Sequence, residues 1–417
     1  MSIRENRNWL VILFFLGSIF LILYTINVFG NLGLIFWEIA FILIIPCLIG
    51  IIWSIRRIIG VKKERIQKYR HPLVVFTLII SFFFSIFAII PFLCVNPLGN
   101  QFETIFKDKL GDDYWEKIPE EYRERLKAPG NYFDRIDLGF FLNRKLSIDS
   151  DISYGSEEYQ KFDMYDNPNI KKDEKPAVIV IHGGGSTTFA SKESINYVWA
   201  CKYFASLGFV AFCVEYTPAP IEPFPKGVAD VMKAIVYIKN HADDYNIDNN
   251  SIVLFGSSRG GHLVTQVAYT GVNNDNWWRE HGGNYTTAEL EVACVVDLYG
   301  AVDQFYAFEH NGFLASRNKI IFDGTPEEKE ELYEHHTVKN YVSKNCPPTL
   351  IIHGSIDKMV QVGESLGLVE ELEGSDAFYI YLEVPFGQHG FEAVPGTAGN
   401  LLVYYFIPRF VLFILYG

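Results

Sequence analysis

The spacing of hydrophobic positions changes twice along the chain, and each change marks a different kind of structure. Three unbroken apolar runs come first, at residues 9–29, 34–55 and 73–95. A helix of about 20 such residues crosses a hydrocarbon core of about 30 Å, so three membrane-spanning helices are expected. Glu38 is the single charge within them, near one end, where it can reach the interface. From residue 148 onward, short strand-like runs alternate with helical ones. Residues 148–154 and 159–165 flank Gly155-Ser156, a hairpin signal. Strands then follow at 177–181, 209–214, 252–255, 292–298, 349–352 and 378–382. Helices are interleaved at 194–207 (closed by Gly208), 227–241, 263–269 and 363–372. This alternation predicts an α/β domain, a mostly parallel twisted sheet with helices on both faces.

Two stretches carry less pattern. Residues 99–147 are mixed, charged and aromatic, with a helix start at Ile118-Pro119-Glu120-Glu121; they read as a juxtamembrane spacer or a cap. Residues 302–346 are a variable region, where His335 and His336 could be exposed. The last apolar run, 401–416, is interrupted by Pro408 and Arg409 and is short for a span, so it is expected as the final packing helix. The expected organisation is therefore 1–98 membrane anchor, 99–147 spacer or cap, and 148–417 α/β domain.

The loops orient the anchor. Arg56, Arg57, Lys62, Lys63, Arg65, Lys68 and Arg70 fall between the second and third runs, while the first connection is uncharged. The positive-inside rule puts the 56–70 loop and the N-terminus in the cytoplasm, and three crossings deliver residue 99 onward to the extracytoplasmic side. A cleaved signal peptide is disfavoured, since the first run exceeds a usual signal core and no small-residue cleavage site follows.

Composition sharpens this picture. Half the residues are hydrophobic (49%) and the mean hydropathy is +0.11, in keeping with membrane segments. Residues 1–98 carry nine Lys/Arg and three acids, +6, so a net charge of −13 leaves −19 on residues 99–417. So acidic a domain is unsuited to nucleic acid, whose phosphates need clustered Lys and Arg. Six cysteines show neither C-x-x-C nor zinc-ligand spacing, so no metal is expected; a disulfide is left open.

Candidate chemistry begins at Gly256-Ser257-Ser258-Arg259-Gly260, set between the 252–255 strand and an apolar-periodic helix. G-x-S-x-G in that setting holds a serine on a strained turn, with small flanking residues and a helix N-terminus aimed at developing negative charge. Upstream, the 177–181 strand runs into His182-Gly183-Gly184-Gly185, where glycines let backbone amides face a ligand. The expected oxyanion donors are the Gly183, Gly184 and Arg259 amides. Downstream, the 349–352 strand leads to His353-Gly354-Ser355-Ile356-Asp357, and Gly387-Gln388-His389-Gly390 follows the last strand. Ser258 as nucleophile, His389 as base and Asp357 as orienting acid keep the chain order of a sheet-mounted triad. Asp297 is the rival acid, disfavoured because it lies inside an apolar strand; His262, one turn past Ser258, reads as a packing residue.

Together these motifs, with Tyr154-Gly155 and the Gln160–Tyr165 segment, resemble the α/β-hydrolase superfamily over roughly residues 150–412, within its hormone-sensitive-lipase-like and feruloyl- or acetyl-esterase-like branch. Arg259 departs from that branch, where alanine is usual. The resemblance implies a serine hydrolase of carboxylic esters that uses no metal or organic cofactor. The expected protein is thus a membrane-anchored esterase acting on a small-molecule, lipid or acylated-polysaccharide ester. A prolyl-oligopeptidase-like peptidase and a non-catalytic hydrolase-fold receptor are the alternatives; residues 99–150 are too few for the propeller the first normally carries.

Overall fold

A computed structural model describes residues 71–126, 129, 130, 132, 146–184, 191–273 and 275–417. The apolar runs at 9–29 and 34–55 lie outside the described residues. Eight strands form one sheet: β1 (Ser147–Ser153), β2 (Lys161–Asp166), β3 (Lys175–Ile181), β4 (Val210–Val214), β5 (Ile247–Ser257), β6 (Cys294–Leu298), β7 (Thr349–Gly354) and β8 (Tyr379–Val384). Their spatial order is β1-β2-β4-β3-β5-β6-β7-β8. The β1–β2 hairpin is antiparallel and joins β4 antiparallel; all remaining pairs are parallel. β3, β4, β6 and β7 are buried along their whole length, as largely apolar strands are when both sheet faces are covered.

Alternate residues of each strand feed two separate cores. Val178 and Val180 point into one, with the helices Ile195–Leu207 and Ala398–Tyr416; Ala177, Ile179 and Ile181 point into the other, with Lys226–Asn240 and Arg259–Asn273. Gly208 closes the Ile195–Leu207 helix with a φ of 106°, the left-handed cap that glycine adopts without penalty.

The third apolar run belongs to a 40-residue helix, His71–Leu110, which continues beyond the expected boundary at 98 through Pro97 and Gly99. Its last three turns are part of the α/β body. Phe102 and Phe106 lie 5.5 and 5.0 Å, ring to ring, from Phe406 of the C-terminal helix. Gly99 lets the Tyr132 ring pack closely on the helix, since a Cβ there would come 2.6 Å from it. The C-terminal helix could cross a membrane by length and composition, yet 78% of its most apolar window is buried within the protein. It is a core helix, as its interrupted apolar run suggests. Arg409 sits inside it, over the Tyr405 ring at 3.4 Å.

Candidate active site

The turn after β5 carries the serine. β5 ends at Ser257, the next helix begins at Arg259, and Ser258 between them has a φ of 56°, a left-handed conformation costly for a residue with a Cβ. The surroundings hold it there. A Cβ on Gly256 would sit 2.3 Å from the Gly260 carbonyl, and one on Gly260 would sit 2.0 Å from the Ile181 oxygen. The Ser258 amide donates to the Leu298 carbonyl at 2.8 Å, and the Ser258 carbonyl accepts from the His262 amide at 3.0 Å.

The loops after β7 and β8 pack backbone on backbone: a Cβ on Gly354 would lie 2.3 Å from the Gly387 oxygen. That contact brings Asp357 and His389 together. His389 Nδ1 is 2.7 Å from Asp357 Oδ2, and His389 Nε2 is 2.9 Å from Ser258 Oγ. The second Asp357 oxygen accepts from the amides of Met359 (2.8 Å) and Val360 (2.9 Å). Burial alone would raise the Asp357 pKa, but His389 and His353 outweigh it and hold the carboxyl well below the usual carboxylate range. Asp297, the rival acid, instead accepts from the Gly300 amide at 2.9 Å. Its own carboxyl is pushed up to about 6 by burial.

The glycine loop after β3 lies against the serine: a Cβ on Gly183 would come within 3.2 Å of the Ser258 Cβ. His182 fixes this loop, its ring 2.8 Å from Glu215 and stacked on Tyr216 at 4.4 Å. One expectation needs correction. The Gly183 amide donates to the Tyr197 hydroxyl at 2.6 Å, and that hydroxyl is 2.9 Å from Ser257 Oγ. Gly183 therefore supports the turn rather than offering a donor to a reacting carbonyl. Gly184 follows with a φ of 73°, and the Arg259 amide, first in its helix, has no acceptor within the helix.

Several neighbours have no signature in the sequence. The Tyr299 ring lies 4.6 Å from the His389 ring, and its hydroxyl donates to Glu392 at 2.5 Å. Burial, only partly offset by that bond, pushes the Glu392 carboxyl up to about 7. Of the two histidines that could be exposed, His336 is fully buried. It receives an Arg259 guanidinium N–H at its Nε2 (2.5 Å) and meets His262 Nε2 from its Nδ1 (3.3 Å). His262 Nδ1 in turn meets the Ala301 carbonyl at 2.5 Å. Among the described residues no group of three or more His, Cys, Asp or Glu side chains is gathered as a metal site would need. The five described cysteines are free thiols.

Comparison with known proteins finds esterases of related sequence and fold. The BD-FAE family model matches residues 162–372. Two proteins of Mycobacterium tuberculosis, a probable carboxylic ester hydrolase, LipM, and the esterase LipC, are each 27% identical to this chain, over 60% and 59% of it. The chain spans 57% and 60% of their respective lengths. A truncated carbohydrate esterase from gut microbiota superposes with a TM-score of 0.53 at 25% identity, over 63% of this chain and 96% of that one.

Proposed function

The chain belongs to the BD-FAE family, in the esterase and lipase branch of the α/β-hydrolases, and from this premise we propose that it is a membrane-anchored serine hydrolase of carboxylic esters. The observation that carries the proposal is the unbroken line of hydrogen bonds from Ser258 Oγ through His389 to Asp357, at 2.9 and 2.7 Å. In this reading His389 takes the Ser258 proton as Oγ attacks the ester carbonyl, then delivers it to the departing alcohol. A water activated by the same imidazole attacks the acyl-enzyme and releases the acid. Asp357 selects the His389 tautomer with its proton on Nδ1 and stabilises the imidazolium. The Gly184 and Arg259 amides are the donors proposed for the oxyanion, each of a kind worth about 3–4 kcal/mol in the transition state. Acylated polysaccharides are one candidate substrate class, in keeping with the carbohydrate esterase among the structural neighbours.

The anchor is part of the proposal. Residues 1–98 would hold the enzyme in the bilayer with its hydrolase domain, 148–417, on the extracytoplasmic side. The run at 73–95 supports this by continuing as one helix into the packed body at Phe102 and Phe106. Purified full-length protein should turn over p-nitrophenyl acetate and lose that turnover on Ser258→Ala. Turnover retained by the variant would refute the assignment.

A further inference from the structure

Arg259 carries a long side chain in the elbow that the ester chemistry above does not use, and its setting is unusual. It is the first residue of the Arg259–Asn273 helix, where the helix dipole favours negative charge and disfavours a cation. That first turn contains no acid, and among the described residues no Asp or Glu pairs with the guanidinium. Its partner is a neutral group instead. Burial, then His262 and Arg259 itself, hold the His336 imidazole well below its ordinary pKa, and His262 is depressed likewise. With both rings neutral, one proton arrangement satisfies the distances: Arg259 donates to His336 Nε2, His336 Nδ1–H donates to His262 Nε2, and His262 Nδ1–H donates to the Ala301 carbonyl. The Phe224 ring packs on His336 at 4.2 Å. The guanidinium is pushed down only to about 10 by burial, so it is charged at neutral pH. Arg259 as a residue is half-buried, as Ser258 is, so part of its surface meets solvent beside the nucleophile.

A cation held by a neutral imidazole, on the residue that follows the nucleophile, is thus fixed in place but not neutralised. A partly desolvated charge is normally paired. We propose that the missing counter-charge comes from the substrate: Arg259 forms a subsite for a carboxylate carried by the ester. This rests on Ser258 acting as the nucleophile. The carboxylate can belong to the acyl group or to the alcohol, and both would be recognised by the same planar guanidinium fork.

The test compares matched esters on the full-length protein. The acyl arm sets 4-nitrophenyl hydrogen succinate against 4-nitrophenyl levulinate; the alcohol arm sets 4-acetoxybenzoate against 4-acetoxybenzamide. The wild type should prefer the charged member of at least one pair in kcat/KM, and the responding arm identifies the source of the carboxylate. Arg259→Gln should collapse that preference by roughly tenfold to a hundredfold, the range for losing a hydrogen bond to a charged group, with Arg259→Lys intermediate. Equal losses on charged and neutral esters would overturn the proposal, since they would put the side chain in service of the oxyanion or the fold. So would a wild type that hydrolyses both members of both pairs without preference, a result that needs no variant to fold. If no ester of either kind is turned over, the esterase reading itself fails, a separate outcome.

Discussion

Asp357 and Glu392 are buried carboxyls near His389, yet their environments pull them in opposite directions, and the pH dependence of stability should show it. Asp357 is held below the usual range, so its contribution is present above the unfolded carboxylate pKa of about 4 and is lost only as the pH falls through its lower folded value. Glu392 is the reverse case. Its folded pKa of about 7 exceeds the ordinary 4.5, so the unfolded chain gives up this proton first and stability falls as the pH rises between those values. Glu392→Gln should therefore stabilise the protein at pH 8 by about 3 kcal/mol and by nearly nothing below pH 4.5. Thermal unfolding at pH 4.5 and 8 checks this; an equal gain at both would remove the titration argument. Asp357→Asn should leave the fold intact and lower kcat roughly ten thousandfold by favouring the wrong His389 tautomer. The positions of Ser258, Asp357 and His389 were legible because each follows an apolar strand and sits in a glycine-marked turn. The Arg259–His336–His262 chain was not, because it joins residues more than 70 apart whose meeting depends on how residues 302–346 fold. Nor could the sequence show that Tyr197 takes the Gly183 amide, since both partners look free to serve elsewhere.

At the scale of elements, the strand–helix alternation was readable where strands are buried apolar runs, as in β4, but the helices Gln304–His310, Gly312–Phe322 and Glu330–His335 of the 302–346 region carried no such signal. Helix ends were less readable. The Pro97-Leu98-Gly99 step reads as a terminator, and proline inside a helix removes a hydrogen bond and crowds the preceding turn. The helix passes through it because Phe102 and Phe106 are buried against the C-terminal helix, and tertiary packing outweighs local preference. Phe406→Ala, which empties the meeting point of those rings, should cost about 3–5 kcal/mol. Equilibrium unfolding would measure it; a loss within experimental scatter would mean the 99–110 segment is not joined to the body. The elbow is tighter still. Gly260→Ala would force a Cβ to 2.0 Å from a backbone oxygen, where no rotamer change gives relief. It should yield little folded protein, whereas an alanine at Gly367, whose Cβ meets nothing within 4 Å, should be tolerated.

For the molecule as a whole, the charge division and the apolar first quarter make one expectation about placement. A chain with +6 on residues 1–98 and −19 on the rest should lie with its basic loop inside and its acidic domain outside. In intact cells, externally added protease should reach the hydrolase domain and leave the 56–70 loop uncut; the opposite pattern would invert the proposed topology. The most direct test of the central claim is active-site labelling. Full-length protein treated with a fluorophosphonate should gain one adduct, mapped by peptide mass spectrometry to Ser258, and lose ester turnover in proportion. An unlabelled Ser258 in folded protein, or full turnover after labelling, would contradict the account.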